Sequence, residues 1–157
     1  MTKNLVAYFS RTGEQYGVGN ITKGNTKILA EILAKVVDAD LFEIKVVNDN
    51  YPDGYNNLVQ YAKTEKQSNA RPEIIGKVEN FEQYENIYIG YPNWWGDMPM
   101  PVYTFIESYD FSGKTVKHVC THEGSGGIKR GDLAVYGHIA QNNPEEAEKL
   151  IRDWLKS

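Results

Sequence analysis

Leu5-Val6-Ala7-Tyr8-Phe9, then Ser10-Arg11-Thr12-Gly13, and further on Gly24-Asn25-Thr26 at the head of an amphipathic segment, is the stretch that decides the fold. The unbroken apolar run Leu5–Phe9 reads as a strand buried on both faces, as in a parallel sheet covered on its two sides. Residues 10–24 are polar and carry Gly13, Gly17, Gly19 and Gly24, which predicts a loop. From Asn25 to Val37, the residues Ile28, Leu29, Ile32, Leu33, Val36 and Val37 fall on one stripe of helical period, which predicts a helix. The loop therefore ends on a helix N-terminus.

The same alternation continues downstream. Leu41–Val47 predicts a second strand, Ile87–Tyr91 a third, Thr115–Cys120 a fourth and Leu133–Tyr136 a short fifth. A helix is expected near Asp53–Gln67, ended by Asn69-Ala70-Arg71-Pro72. Another is expected over Pro99–Tyr109, whose prolines are tolerated in a first turn. The last helix opens with Asn143 as N-cap, Pro144 in its first position and Glu146 in the place of a capping-box partner. Ala147, Leu150, Ile151, Trp154 and Leu155 make its buried stripe. Strands alternating with helices predict an α/β fold, a doubly wound parallel five-stranded sheet in one domain spanning residues 1–157. In such sheets ligands bind beyond the carboxyl ends of the strands. Loops 10–26, 92–98 and 121–127 all follow strands, and their convergence predicts a site.

The bulk properties narrow the function classes. At 157 residues the chain can bury a core of its own. Its net charge of -4 argues against nucleic acid as main partner, because phosphate backbones demand a basic footprint. Aromatic residues reach 12%, which hints at a ring-binding surface. Cys120 is the only cysteine, so neither an internal disulfide nor a cysteine-based metal cluster is open to the chain. It reads as a buried small hydrophobe. The opening apolar run is too short for a leader or a membrane span, so the expected location is the cytoplasm, with no membrane association and no metal.

Two nucleotide motifs fail in the first loop. Gly19 to Thr26 nearly spells a Walker A loop, but Asn25 stands where the lysine must be, which excludes a triphosphate site. Gly17-Val18-Gly19 begins a dinucleotide fingerprint, but Thr22 stands at its third glycine. Hydroxyls and free N–H groups at a helix N-terminus remain, and these suit a monophosphate. Ser10, Thr12, Asn25 and Thr26 are the candidate donors, with Arg11, Lys23 and Lys27 nearby. The plainer alternative is that Asn25 or Thr26 only caps the helix.

The other end of the site is read from Pro92-Asn93-Trp94-Trp95-Gly96. Adjacent tryptophans between a strand and a helix start are costly unless something flat covers them. Either Trp94 or Trp95 can flank a ring, and the peptide near Gly96 can approach one closely. The alternative is that both indoles are core. A phosphate at one end and a planar ring at the other is the shape of flavin mononucleotide (FMN). The third loop, Thr121-His122-Glu123-Gly124-Ser125-Gly126, would pass the pyrimidine edge, where a Glu123 carboxylate would lower the flavin's potential. His122 would hydrogen-bond the ring or face water.

Tyr8-Phe9-Ser10-Arg11-Thr12-Gly13 with Gly24-Asn25-Thr26 resembles the phosphate loop of the flavodoxin family, interrupted here by about ten residues between Gly13 and Gly24. Ile89 to Gly96, Thr104 to Glu107, Asp110 to Thr115 and Thr121 to Gly126 resemble a subgroup of that family carrying this interruption. The resemblance implies strand order 2-1-3-4-5, bound FMN and electron transfer. It implies no catalytic side chain, because the flavin carries the chemistry. The expected partners are redox proteins or small quinone-like acceptors. One departure stands out. Only Ile128 to Asp132 separates Gly127 from Leu133, so the helix between the fourth and fifth strands is missing. One face of the sheet would then lack cover unless the 48–80 segment or a second copy of the chain supplies it. Two other functions compete with the electron carrier. One is an NAD(P)H-dependent quinone or nitro reductase, with a pocket over the flavin shaped by Tyr51, Tyr55 and the 48–80 segment. The other is a non-redox module that has lost FMN.

Overall fold

The computed structural model describes residues 3–15, 17–128 and 131–157. Strand β1 (Lys3–Tyr8) alternates its side chains between two core layers. Leu5, Ala7 and Phe9 enter one layer, and Val6 and Tyr8 enter the other. Both faces are covered, which is why the run carries no polar residue. Residues expected as a bare loop form a small antiparallel hairpin, β2 (Gly13–Gln15) and β3 (Gly19–Ile21).

Helix α1 (Asn25–Val37) has the predicted bounds, with Leu29 and Leu33 fully buried. Its N-cap, Gly24, offers no side chain. Ser10 Oγ, from outside the helix, accepts the Lys27 backbone N–H at 3.0 Å instead. The helix ends at Asp38 in a left-handed conformation, whose N–H returns to the Ala34 carbonyl.

Strand β4 (Ala39–Glu43) starts earlier and stops sooner than the apolar pattern of 41–47 suggests. Ile44 still donates to the Tyr8 carbonyl at 2.7 Å, but Val46 then leaves the parallel ladder for an antiparallel bridge with Ile74. Helix α2 (Tyr55–Gln67) buries Leu58 and Ala62. After a short 3-10 turn, β5 (Tyr84–Pro92) runs through the middle of the sheet. Helix α3 (Met100–Glu107) begins at prolines, as expected. Strand β6 (Thr115–His122) leads to β7 (Leu133–Tyr136). A short helix, α4 (Gly137–Asn142), precedes α5 (Pro144–Leu155), where Asn143 Oδ1 accepts the Glu146 N–H at 3.3 Å.

The main sheet is parallel in order β4-β1-β5-β6-β7, which is 2-1-3-4-5 when only its own strands are counted. The described residues between β6 and β7 contain no helix; Lys129 and Arg130 of this connection lie outside them. From the 48–80 segment, Tyr51 and Leu58 join the core layer that also holds Phe9, Ile44 and Cys120. The connection partly covers itself, because Ile128 packs on the layer containing Cys120. Asp132 Oδ2 accepts both the Ile128 N–H at 3.2 Å and the Tyr91 hydroxyl at 3.3 Å, which folds the loop down. Cys120 is fully buried, and burial pushes its thiol up to about 12. No described helix is long and apolar enough to cross a membrane.

Candidate functional site

The loops after β1, β5 and β6 meet at the carboxyl end of the sheet around a cavity of about 400 Å³. Asn25, Pro92, Asn93, Trp94, Trp95, Gly96, Thr121, His122, Glu123 and Ser125 line it, so most of the sequence-predicted residues converge. Gln15 of the hairpin and Tyr55, Leu58, Val59 and Ala62 of α2 complete the wall. The α2 residues belong to the 48–80 segment expected to shape a pocket over the ring, whereas Gln15, in a stretch read as a loop, was missed.

Ser10, Thr12, Thr26, Gly124 and Gly126 do not line that cavity. Ser10 holds the first turn of α1 through the Lys27 N–H. Thr12 is exposed and borders a smaller cavity of about 160 Å³ with Asn20 and Gly54. Thr26 is buried, with its hydroxyl 2.7 Å from that of Thr121, and this pair ties α1 to β6. Gly90 permits the approach: a Cβ there would lie 3.2 Å from Val119 Cγ2 and 3.5 Å from Thr26 Cγ2. Thr26→Val or Thr121→Val alone strands one buried hydroxyl and is expected to cost about 1–3 kcal/mol, whereas the double replacement is expected to be close to neutral. Urea unfolding of the two singles and the double measures this.

The basic residues near the first loop are paired with carboxylates. Arg11 bonds Asp49 at 2.8 Å and lies over the Tyr51 ring. Lys23 pairs with Glu31, and Lys27 approaches Glu43 at 3.8 Å. A phosphate at this end would therefore rely on backbone N–H groups and hydroxyls at the α1 N-terminus more than on cations.

The tandem tryptophans part company. Trp94 turns inward and meets Phe9 and Tyr51 edge-on at centroid distances of 5.3 and 5.6 Å. Trp95 remains 45% exposed and lies against α2, its Nε1–H donating to the Val59 carbonyl at 2.8 Å. A two-residue turn causes the split. Trp94 and Asp97 exchange backbone hydrogen bonds, and Trp95 and Gly96 take positive φ angles of 58° and 72°. Such turns favour glycine or asparagine, so holding Trp95 there costs about 1–2 kcal/mol.

Asn93 joins the second and third loops. Its Nδ2 donates to the Gly126 carbonyl at 2.9 Å, and its Oδ1 accepts the Gly96 N–H at 2.8 Å. The N–H of Gly96, whose peptide was expected to approach a ring closely, is thus held by the protein. The Gly124 N–H is held likewise, by His122 Nδ1 at 2.9 Å. Burial pushes His122 below the usual histidine range, with the Glu123 charge opposing and His138 reinforcing the shift. Glu123 lines the cavity, and its carboxylate is tied to α4. Its carboxylate accepts both the backbone N–H and the Nδ1 hydrogen of His138, at 2.6 and 2.8 Å.

The arrangement suits a phosphorylated planar ligand. The cavity is of small-molecule size, toward the lower end of that range. It offers an apolar wall from α2 and Trp95 and, at the head of α1, the buried Asn25 Oδ1, an acceptor with no hydrogen-bond partner among the described residues, open to a donor on the ligand.

Comparison with known proteins agrees. The model of a family described as Flavodoxin matches residues 3–148. No curated protein matches the chain. Among solved structures, one described as a flavoprotein from Bacteroides eggerthii is 30% identical with a TM-score of 0.75, over 99% of this chain and 97% of that one. One from Bacteroides uniformis, described in the same way, is 28% identical with a TM-score of 0.72, over 99% of each chain. A flavoprotein from Lactobacillus acidophilus, solved in complex with FMN, shares the fold at 21% identity and a TM-score of 0.67, over 92% of this chain and 99% of that one.

Proposed function

The chain belongs to the flavodoxin family, and from that premise we propose that it binds FMN and carries electrons between redox partners, whether proteins or small quinone-like acceptors. When bound, FMN supplies the redox chemistry, and the protein's part is binding, orientation and control of access. The head of α1, with Ser10, Asn25 and the first backbone N–H groups, receives the phosphate. Trp95 and the α2 residues Val59 and Ala62 flank the ring. Asn93 fixes the second and third loops relative to each other, so the ring meets a preformed slot.

The single observation that favours a carrier over a reductase is the size of the cavity: about 400 Å³ lies toward the lower end of the small-molecule range, which suits one ring system better than two. Tyr51, which would shape a reductase pocket, is instead buried, with its hydroxyl on Glu65 at 2.7 Å. The test is a visible absorption spectrum after FMN addition and desalting, followed by NADPH and a quinone. Retained flavin bands without steady turnover are expected. Steady quinone-dependent oxidation of NADPH would make the protein a reductase, and failure to retain flavin would make it a module without the cofactor.

A further inference from the structure

Glu123 sits where three segments of the chain meet. Its carboxylate caps α4, whose own N-cap residue, Tyr136, supplies no side-chain hydrogen bond. A carboxylate only accepts, so His138 Nδ1 carries the hydrogen in the 2.8 Å contact. Above the carboxylate lies the turn of the β2–β3 hairpin, where a Cβ on Gly17 would come within 2.9 Å of Glu123 Cδ. On its other side is Gly137, where a Cβ would fall 2.9 Å from Glu123 Oε1 and 2.3 Å from Asn25 Nδ2. Neither Gly17 nor Gly137 therefore has room for a side chain beside Glu123.

The hairpin needs such a contact. Its strands are three residues each, and an isolated two-stranded ribbon of that length does not hold itself in place. Yet it delivers Gln15 to the cavity wall.

We infer that Glu123 is a positioning residue of the site: through His138, Gly17 and Gly137 it clamps the hairpin and the Asn25 end of α1 against the β6 loop, so that Gln15 and Asn25 face one cavity. Its carboxylate acts through these protein contacts. The clamp is a property of the ligand-free chain; its effect on affinity rests on the FMN reading above.

The experiment compares Glu123→Ala and Glu123→Gln with the parent chain by amide hydrogen exchange without ligand and by FMN titration. Glu123→Ala is expected to speed exchange across Gly13–Gln15 and Gly19–Ile21 about tenfold or more, to leave the α5 amides unchanged, and to weaken FMN binding about tenfold. Glu123→Gln keeps an acceptor for the His138 N–H and is expected to restore most of both. Hairpin exchange and FMN affinity within twofold of the parent in Glu123→Ala would overturn the inference. If that variant does not fold, Gly17→Ala and Gly19→Ala decide. Both positions have positive φ, but only a Cβ on Gly17 meets Glu123, whereas nothing lies within 4 Å of one on Gly19. Gly17→Ala must then loosen the hairpin several-fold more than Gly19→Ala, and equal effects would refute the clamp. If the parent chain binds no FMN, the proposed function fails while the exchange data still decide the clamp.

Discussion

Trp94→Ala is expected to cost about 3 kcal/mol of stability, and Trp95→Ala less than about 1 kcal/mol, while the order reverses for FMN retention. Trp94 completes an aromatic cluster with Phe9 and Tyr51, which are themselves buried. Its removal opens a cavity in the layer between the sheet and α2 and forfeits two edge-to-face contacts, each worth about 0.5–1.5 kcal/mol beyond the area buried. The contacts of Trp95 are of the surface kind. Its indole hydrogen bond to Val59 lies at the rim, and Lys63 stands 5.3 Å from the ring. Such contacts contribute little to folding, but they hold the indole as a wall of the cavity. Urea unfolding of both variants without ligand, and FMN titration by flavin fluorescence, separate the two roles. If Trp95→Ala is the less stable variant, or Trp94→Ala alone loses the flavin while staying folded, the assignment of wall and core is inverted.

The split between these neighbours shows where sequence reading stops. Periodicity reports which face of an element is apolar, and it located α1, β7 and α5 almost to the residue and β1 to within two. It says nothing about a turn in which consecutive side chains diverge, because the positive φ of Trp95 is imposed by the Trp94–Asp97 pairing and not by residue type. Long-range pairings were hidden for a related reason. Val46 abandons the parallel ladder for Ile74, 28 positions away, although its local pattern continues that of β4. Gly17 was legible as a loop glycine, but only packing shows that it and Gly137, at the head of α4, lie close to Glu123. Thr26 is the clearest case. Ser, Thr and Asn at a helix start read alike, yet here Ser10 serves the helix N–H groups, and Thr26 spends its hydroxyl on Thr121. The fold follows from local patterns, whereas the direction of each polar group follows from contacts the chain makes only once folded.

Gly24→Ala is expected to abolish FMN retention, weakening binding about 100-fold or more, while the chain still folds with a loss of about 1–3 kcal/mol. The backbone at Gly24, φ -63° and ψ 149°, is one that alanine adopts freely, so the effect comes from the added methyl group alone. That carbon would lie 1.9 Å from Ser10 Oγ, 3.1 Å from Ser10 Cβ and 2.7 Å from the Arg11 carbonyl oxygen. Ser10 can rotate away, at the cost of its bond to the Lys27 N–H. The Arg11 carbonyl is main chain and yields only if residues 10–12 move off the head of α1. The phosphate end of the site then widens, while the ring end, built by Asn93 and the β6 loop, stays as it was. Riboflavin, which has the ring and no phosphate, separates these ends. Its affinity should change by less than about threefold in Gly24→Ala, so the preference for FMN over riboflavin collapses. Ser10→Ala, which removes the hydroxyl and leaves the loop in place, should fall between the parent and Gly24→Ala. Equal losses for FMN and riboflavin would mean that the methyl group deforms the whole site. An unchanged FMN affinity would place the phosphate somewhere other than the head of α1.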